Sequence, residues 1–129
     1  MKTLSNFTEA HQSQLFAQLG AFFAFGQAQF DEKRKEGVDY VSLSSGLIVP
    51  KENAKALVVG LSEITTKGIA QDLAENGREA IIRRELINHE CFYVGTATDA
   101  AVALECYGIT IDEVNAVYRK MLANDEVEF

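Results

Sequence analysis

The chain has 129 residues, 47% of them hydrophobic and 24% charged, and its 12 basic and 19 acidic side chains give a formal net charge of −7. This length is typical of one domain, and the apolar fraction excludes wholesale disorder. The negative charge argues against direct nucleic-acid binding, because neutralising phosphates requires clustered lysine and arginine. We therefore expect a soluble, acidic domain that does not take nucleic acid as a partner.

No targeting or membrane segment is expected. The N-terminal segment lacks an apolar stretch of signal-peptide length, because Glu9 and His11 interrupt it. The most apolar run, Leu19–Phe25, is far shorter than the roughly 20 residues of a membrane-spanning helix. Cys91 and Cys106 are interpreted as small buried residues of a reducing cytoplasm, although a disulfide between them stays open.

A long first helix is predicted from Thr8 to Glu36. Thr8 is a natural N-cap, and the apolar residues after it recur at steps of three and four. Gly20 and Gly26 mark either a close approach of another helix or a kink. The phenylalanines occupy more than one stripe, which favours a central core helix or self-association as a structural homo-oligomer such as a homodimer. The residues predicted to form this oligomer surface are Phe16, Phe23, Phe25 and Phe30.

Residues 39–49 are predicted to form a short β-hairpin. Two apolar runs, Tyr40–Leu43 and Leu47–Val49, flank a Ser-Ser-Gly turn. Because an isolated hairpin is marginal in water, this one must pack on helices. An ordered, extended loop is the alternative.

Helical periodicity then returns between residues 50 and 91. Pro50 suits the first position of a second helix, and Thr65–Gly68 is expected to end it. A third helix is predicted from near Ile69, and Asn76-Gly77 is expected to break it before a further helical stretch. The arginines of that stretch are expected mostly to face solvent: Arg78, Arg83 and Arg84.

Two helices joined at a glycine are predicted in the C-terminal third. The first opens near Asp99 and ends at Gly108, and Thr110 with Glu113 predicts a capping box for the second. DNA-binding helix–turn–helix proteins have the same order of elements, but the negative charges of Asp112 and Glu113 would be repelled by the DNA phosphates. A pair of helices that completes the core is therefore favoured.

Together these elements predict a mainly α fold. We expect a single domain over residues 1–129 with four to five helices and a short hairpin or extended segment near residues 39–49. Residues 1–7 and 123–129 are expected to be flexible tails.

Residues 85–91 hold the densest set of ligand-type side chains. Glu85 and His89 lie four positions apart, so on a helix they share a face and could chelate a divalent metal, with Glu90 as a further ligand. Alternatively, His89 ends a helix and bonds Glu85 or a backbone carbonyl. A pairing of His89 with Cys91 or Cys106 would be needed for thiol catalysis, and no activating arrangement is visible. No specific motif such as HExxH or CxxC is present, so no catalytic residue, metal or cofactor is assigned. A metal protein or enzyme centred on Glu85, His89 and Glu90 stays as the alternative.

The acidic charge is concentrated in the second half of the chain. Residues 1–67 carry 7 basic and 7 acidic side chains, whereas residues 68–129 carry 5 and 12. An acidic surface attracts partners with a basic surface and speeds association, although it also simply confers solubility. The predicted interaction residues are Asp112, Glu113, Asp125, Glu126 and Glu128.

Several short stretches between residues 85 and 118 carry a resemblance to a known group of proteins. They are Glu85-Leu-Ile-Asn-His-Glu90, Phe92-Tyr93-Val-Gly95, Ala103-Leu104, Tyr107-Gly108, Glu113-Val114 and Tyr118. With the Phe-rich segment 22–25, they resemble small proteins of no known activity that tailed phages, prophages and related bacterial elements encode. The resemblance implies an accessory protein in the cytoplasm of an infected or lysogenic bacterial cell. Such a protein is expected to bind, and to inhibit, a host protein such as a defence nuclease, without chemistry of its own.

Overall fold

The structure is a computed structural model, and it describes residues 1–124. These residues form seven α-helices and one three-stranded sheet, so the prediction of a mainly α fold is confirmed. They divide into two compact units, one comprising Lys2–Gly68 and the other beginning at Ile69. Within this part of the chain, no helix combines the length and the apolar character needed to cross a bilayer.

The first unit combines helices with the small sheet. Its elements are α1 (Leu4–Leu19), β1 (Phe22–Phe23), α2 (Gln27–Lys33), β2 (Tyr40–Ser42), β3 (Leu47–Pro50) and the first part of α3 (Ala54–Asn76). The strands are antiparallel in the order β1-β3-β2, with Phe22 opposite Ile48 and Val41 opposite Val49. The predicted hairpin is confirmed as β2 and β3, because two short apolar runs around a Ser-Gly turn specify this pairing locally.

The single long helix predicted for residues 8–36 is wrong. Helix α1 already begins at Leu4, and the Thr8 hydroxyl is no cap, since it donates to the Leu4 carbonyl oxygen at 3.2 Å. Gly20, at φ +72°, ends α1 in the left-handed conformation that glycine accepts most readily. The phenylalanines that follow have a high strand propensity and pair with β3 instead of continuing the helical period.

The expected helix end at residues 65–68 is also wrong, because α3 runs through it. Gly68 is buried at the point where α1 passes α3, and a β-carbon there would collide with the side chain of Thr8. The glycine therefore permits a close helix contact. The core of this unit forms around the buried side chains Leu47, Val49 and Leu57.

The second unit is helical. Its elements are the last part of α3, α4 (Arg78–Asn88), α5 (Cys91–Val94), α6 (Thr98–Ala103), a 3₁₀ turn (Glu105–Tyr107) and α7 (Ile111–Ala123). Gly77 separates α3 from α4 as predicted, and Gly108, at φ +71°, ends the 3₁₀ turn. The Thr110 hydroxyl accepts the Glu113 backbone N–H at 3.3 Å, which confirms the Thr110 half of the predicted capping box. The other half differs, because the Glu113 carboxylate accepts from Arg78. Helix α4 packs against α6 and α7, and its buried side chains are Ile81, Ile82 and Leu86.

Candidate functional site

A buried carboxylate, Asp72 of α3, organises the polar interior of the second unit. Arg84 of α4 donates to both of its oxygens, from Nη1 to Oδ1 at 3.0 Å and from Nη2 to Oδ2 at 2.9 Å. The Tyr107 hydroxyl donates to Oδ2 at 2.5 Å, and the Asn76 amide donates to Oδ1 at 2.7 Å. The side chain of Asp72 is fully buried, and that of Arg84 is only 8% exposed. We refer to Asp72, Arg84 and Tyr107 as the buried triad.

The charges of the buried triad stabilise one another. Burial alone raises the pKa of Asp72, but hydrogen bonds from Arg84, Tyr107 and Asn76, together with the Arg84 charge, outweigh it and hold the pKa below its ordinary value. Burial alone lowers the pKa of Arg84, yet Asp72 and Glu85 raise it above its ordinary value. Burial and the bond to Asp72 both raise the pKa of Tyr107. Near neutral pH the triad therefore holds a carboxylate, a guanidinium and a neutral phenol.

This arrangement is a structural one. Throughout the described residues, every buried side-chain nitrogen or oxygen has a hydrogen-bond partner. The buried triad joins α3, α4 and the 3₁₀ turn, and its oxygens already accept from protein donors. The expectation that Arg84 faces solvent is thus wrong, because Arg84 lies three positions after the buried Ile81 and so shares its helix face.

The proposed metal ligands are arranged as a helix end. His89 Nε2 lies 3.4 Å from Glu85 Oε2, while Glu85 Oε1 accepts from Arg84 Nε at 3.0 Å. Glu90 is exposed and follows in the left-handed conformation, at φ 53°. In residues 1–124, no group of three His, Cys, Asp or Glu side chains is placed to hold a metal ion. His89 follows the last residue of α4, and its ring faces the side chain of Glu85 one turn earlier on the same helix.

The predicted interaction residues differ in whether their carboxylates already form ion pairs within the protein. Arg78 donates to both oxygens of Glu113, at 3.0 and 2.7 Å, and this pairing lowers the pKa of Glu113. Asp112, in the first turn of α7, is exposed and makes no ion pair within residues 1–124. The other predicted positions, Asp125, Glu126 and Glu128, lie outside the described residues.

The same distinction divides all the carboxylates of the second unit. Asp72, Glu79, Glu85 and Glu113 are engaged in ion pairs. Five exposed carboxylates have no ion pair within the described residues, and we call them the unpaired carboxylates: Glu75, Glu90, Asp99, Glu105 and Asp112. Among the bases of residues 69–124, Arg119 alone lacks such a pair. The charge presented to a partner by this unit is therefore strongly negative.

The predicted oligomer surface separates into two aromatic groups within the first unit. Phe16 contacts Phe23 edge to face, with ring centroids 5.7 Å apart, and Phe23 stacks on Phe25 with centroids 6.3 Å apart. Phe30 instead contacts Phe22 and Tyr40. Phe25 is 75% exposed and Phe23 is 40% exposed, so one stacked pair faces solvent.

The two cysteines are both free thiols in the structure. Cys91 is buried, which raises its pKa. The interpretation of Cys106 as buried is wrong, because the 3₁₀ turn exposes its side chain. A raised pKa disfavours the thiolate that a nucleophile requires.

Comparison with known proteins identifies one family. Residues 4–124 match a family described as "Family of unknown function (DUF7659)". Neither the curated proteins nor the solved structures yielded a match. The family description names no activity.

Proposed function

The chain belongs to this family of unknown function, and we propose that it is a non-enzymatic interaction protein that binds a partner with a basic surface through the unpaired carboxylates. The observation that carries the proposal is the imbalance of free charge in the second unit, where five unpaired carboxylates stand against Arg119. A carboxylate without an intramolecular cation keeps its full charge for a partner. Binding there breaks no existing ion pair, and the field steers a basic partner towards the unit.

Four of the five unpaired carboxylates lie at the starts of successive elements, and the fifth, Glu75, lies near the C-terminal end of α3. Glu90 immediately precedes α5, and Asp99 lies in the first turn of α6. Glu105 begins the 3₁₀ turn, and Asp112 lies in the first turn of α7. Carboxylates are favourable at helix N-termini, so their presence there is compatible with stability as well as with binding. Of the two predicted interaction residues that are described, Asp112 therefore suits the role better than Glu113, which Arg78 already engages.

We extend the proposal to the biological setting that the resemblance implies. In that setting the protein acts in the cytoplasm of a bacterial cell that carries a phage or mobile element, and it binds a host protein. A defence nuclease fits the sign of the charge, because the groove that holds its nucleic acid must be basic. The support for this step is the sequence resemblance and the charge.

The test compares two variants with the same loss of charge. In Asp99→Asn/Asp112→Asn, two unpaired carboxylates of the second unit are neutralised. In the control Glu9→Gln/Glu63→Gln, two exposed carboxylates of the first unit are neutralised, and neither has an ion pair in the described residues. Each tagged protein is used to capture partners from bacterial lysate at about 50 mM and about 300 mM salt, a range over which screening of exposed charges increases strongly.

The proposal expects a captured protein that is lost at the higher salt. With that protein purified, its association rate constant should fall about twofold to fivefold for the second-unit variant and much less for the control. Equal effects of the two variants, or a partner whose binding does not depend on salt, would contradict it. An enzymatic activity of the chain itself, measured on the captured partner, would also contradict the proposal.

Self-association through the first unit is a second candidate, favoured by the exposed pair Phe23 and Phe25. Their rings lie nearly parallel, at an interplanar angle of 9°, and form an exposed apolar surface. Monomeric proteins rarely expose large apolar patches, so such a surface favours contact with a second copy of the chain. Sedimentation velocity over a hundredfold concentration range, with Phe25→Ser as the comparison, tests it. A wild-type protein that stays monomeric throughout removes this candidate.

A further inference from the structure

An unassigned cleft lies within the first unit, beside the C-terminal end of α1 and strand β2. Its volume is about 320 Å³, which is within the range of small-molecule sites. Apolar side chains form much of its lining: Leu19, Phe22, Val38, Tyr40 and Pro50. The rings of Phe22 and Tyr40 meet edge to face with centroids 5.5 Å apart, so they supply a fixed aromatic wall.

Two lysines, Lys33 and Lys35, line the same cleft, and each makes one hydrogen bond beside it. Lys33 ends α2, and its ammonium donates to the Phe23 carbonyl oxygen at 2.8 Å. An ammonium has three protons, so two remain for another acceptor. The backbone N–H of Lys35 donates to the Tyr40 hydroxyl at 3.0 Å, which fixes the base of the Lys35 side chain. Neither lysine has an ion pair within the described part of the chain.

The charge of the lining indicates what the cleft would accept. Lys33 and Lys35 are opposed by a single carboxylate, Glu52, so the net charge is +1. A neighbouring cleft of about 360 Å³, on the side of Phe30 and Ile48, has no charged side chain in its lining. The two clefts thus share an aromatic character and differ in charge.

We propose that the cleft with Lys33 and Lys35 binds a small organic monoanion with a flat apolar body, of the class of aromatic carboxylates. Its rings would pack against Phe22 and Tyr40, and its anionic group would be held by the two ammonium groups. A purely inorganic anion would leave the apolar lining unused, and a neutral ligand would gain nothing from the lysines. The inference is independent of the proposed function, because it uses residues of the first unit only.

A fluorescence competition tests the ligand class directly. The intact protein is titrated with 8-anilinonaphthalene-1-sulfonate, an aromatic monoanion, and the absence of tryptophan keeps protein emission low. Naphthalene-2-carboxylate and its neutral isostere naphthalene-2-carboxamide then compete for the bound dye. The carboxylate is expected to displace it at a concentration about fivefold lower than the amide, as suits a partly solvated charge pair.

Matched lysine variants locate the site. Lys35→Gln should weaken dye binding about threefold to fivefold, whereas Lys55→Gln, an equal charge loss on α3 outside the lining, should leave it unchanged. Both side chains are exposed, so neither change endangers the fold. Equal potency of the two competitors, equal effects of the two variants or the absence of saturable dye binding would each overturn the proposal.

Discussion

Replacing Arg84 by methionine is expected to be strongly destabilising, because it leaves a buried carboxylate without its cation. Arg84 provides two charge-assisted hydrogen bonds to Asp72, whose side chain is fully buried. Each such bond contributes about 1.5–3 kcal/mol, and breaking a buried ion pair from one side costs about 3–5 kcal/mol. Whole domains are stable by only about 5–15 kcal/mol, so Arg84→Met should remove a large part of the free energy of unfolding.

The loss should depend on pH in a defined direction. In the wild type, the pKa of Asp72 is lowered, so its stabilising contribution is present above its unfolded pKa of about 3.9 and is lost as the pH falls through the folded pKa. Without Arg84, the pKa of Asp72 should be higher than in the wild type, because burial is then opposed only by the bonds from Tyr107 and Asn76, so the variant loses less stability on acidification than the wild type does. The difference in stability between wild type and variant should therefore be largest near pH 7 and shrink below about pH 5.

Urea unfolding followed by helical circular dichroism at pH 7 and pH 4.5 measures both effects. Asp72→Asn/Arg84→Met removes both charges and should recover much of the stability lost at pH 7, since no charge is then left buried alone. Arg78→Met is the control, because its ion pair with Glu113 is exposed and should matter far less. A loss for Arg84→Met no larger than that for Arg78→Met, or one that grows on acidification, would refute the reasoning.

Three further predictions concern stability and are checked by urea unfolding. Tyr107→Phe deletes one donor to the buried carboxylate and should cost about 1.5–3 kcal/mol at pH 7, so a neutral effect would argue against that bond. Gly68→Ala places a methyl group against Thr8 and should cost about 1–3 kcal/mol, whereas an unchanged midpoint would mean that the helices approach less closely. Gly46→Ala meets a backbone at φ +78° and a ring atom of Phe25 at 2.7 Å. Because that ring is exposed and can move, the cost should be about 1–2 kcal/mol from the backbone and persist in a Phe25→Ala background.

The parts of the fold that the sequence predicts are those decided by neighbouring residues. The hairpin needs two short apolar runs and a turn, and the N-cap of α7 needs only Thr110 and the residues after it. The break at Gly77 is likewise local. Each of these features is complete within a few residues of chain.

The parts that fail depend on contacts between distant segments. Phe22 and Phe23 fit a helical period, but β3 lies more than 20 positions away and pairs with them. Gly68 follows two threonines and resembles a helix end, yet it is retained inside α3 because α1 requires the space. Neither partner can be identified from the local pattern, so the local interpretation is overridden.

The buried triad could not be predicted from the sequence for a similar reason. Asp72 and Asn76 lie four positions apart, so the sequence indicates that they share a helix face and can bond each other. Arg84 shares a helix face with the buried Ile81, which indicates that Arg84 is buried as well. What periodicity cannot supply is that these two helix faces meet, with the Tyr107 hydroxyl completing the arrangement. A charged residue on an apolar stripe is the signal that would have found Arg84.

Counting charges also fails to separate the carboxylates that build the fold from those available to a partner. The charge pattern of the sequence assigns Glu113 to an acidic binding surface, but Arg78 engages both of its oxygens, so a partner would have to compete with an existing ion pair. Asp112, its neighbour in the chain, has no such partner within the described residues. Adjacent residues of the same charge therefore differ in what they offer, and mutating the pair together would mix a stability effect with a binding effect. Substitutions that neutralise Asp112 but leave Glu113 intact separate the two, which is why they carry the test of the proposed function.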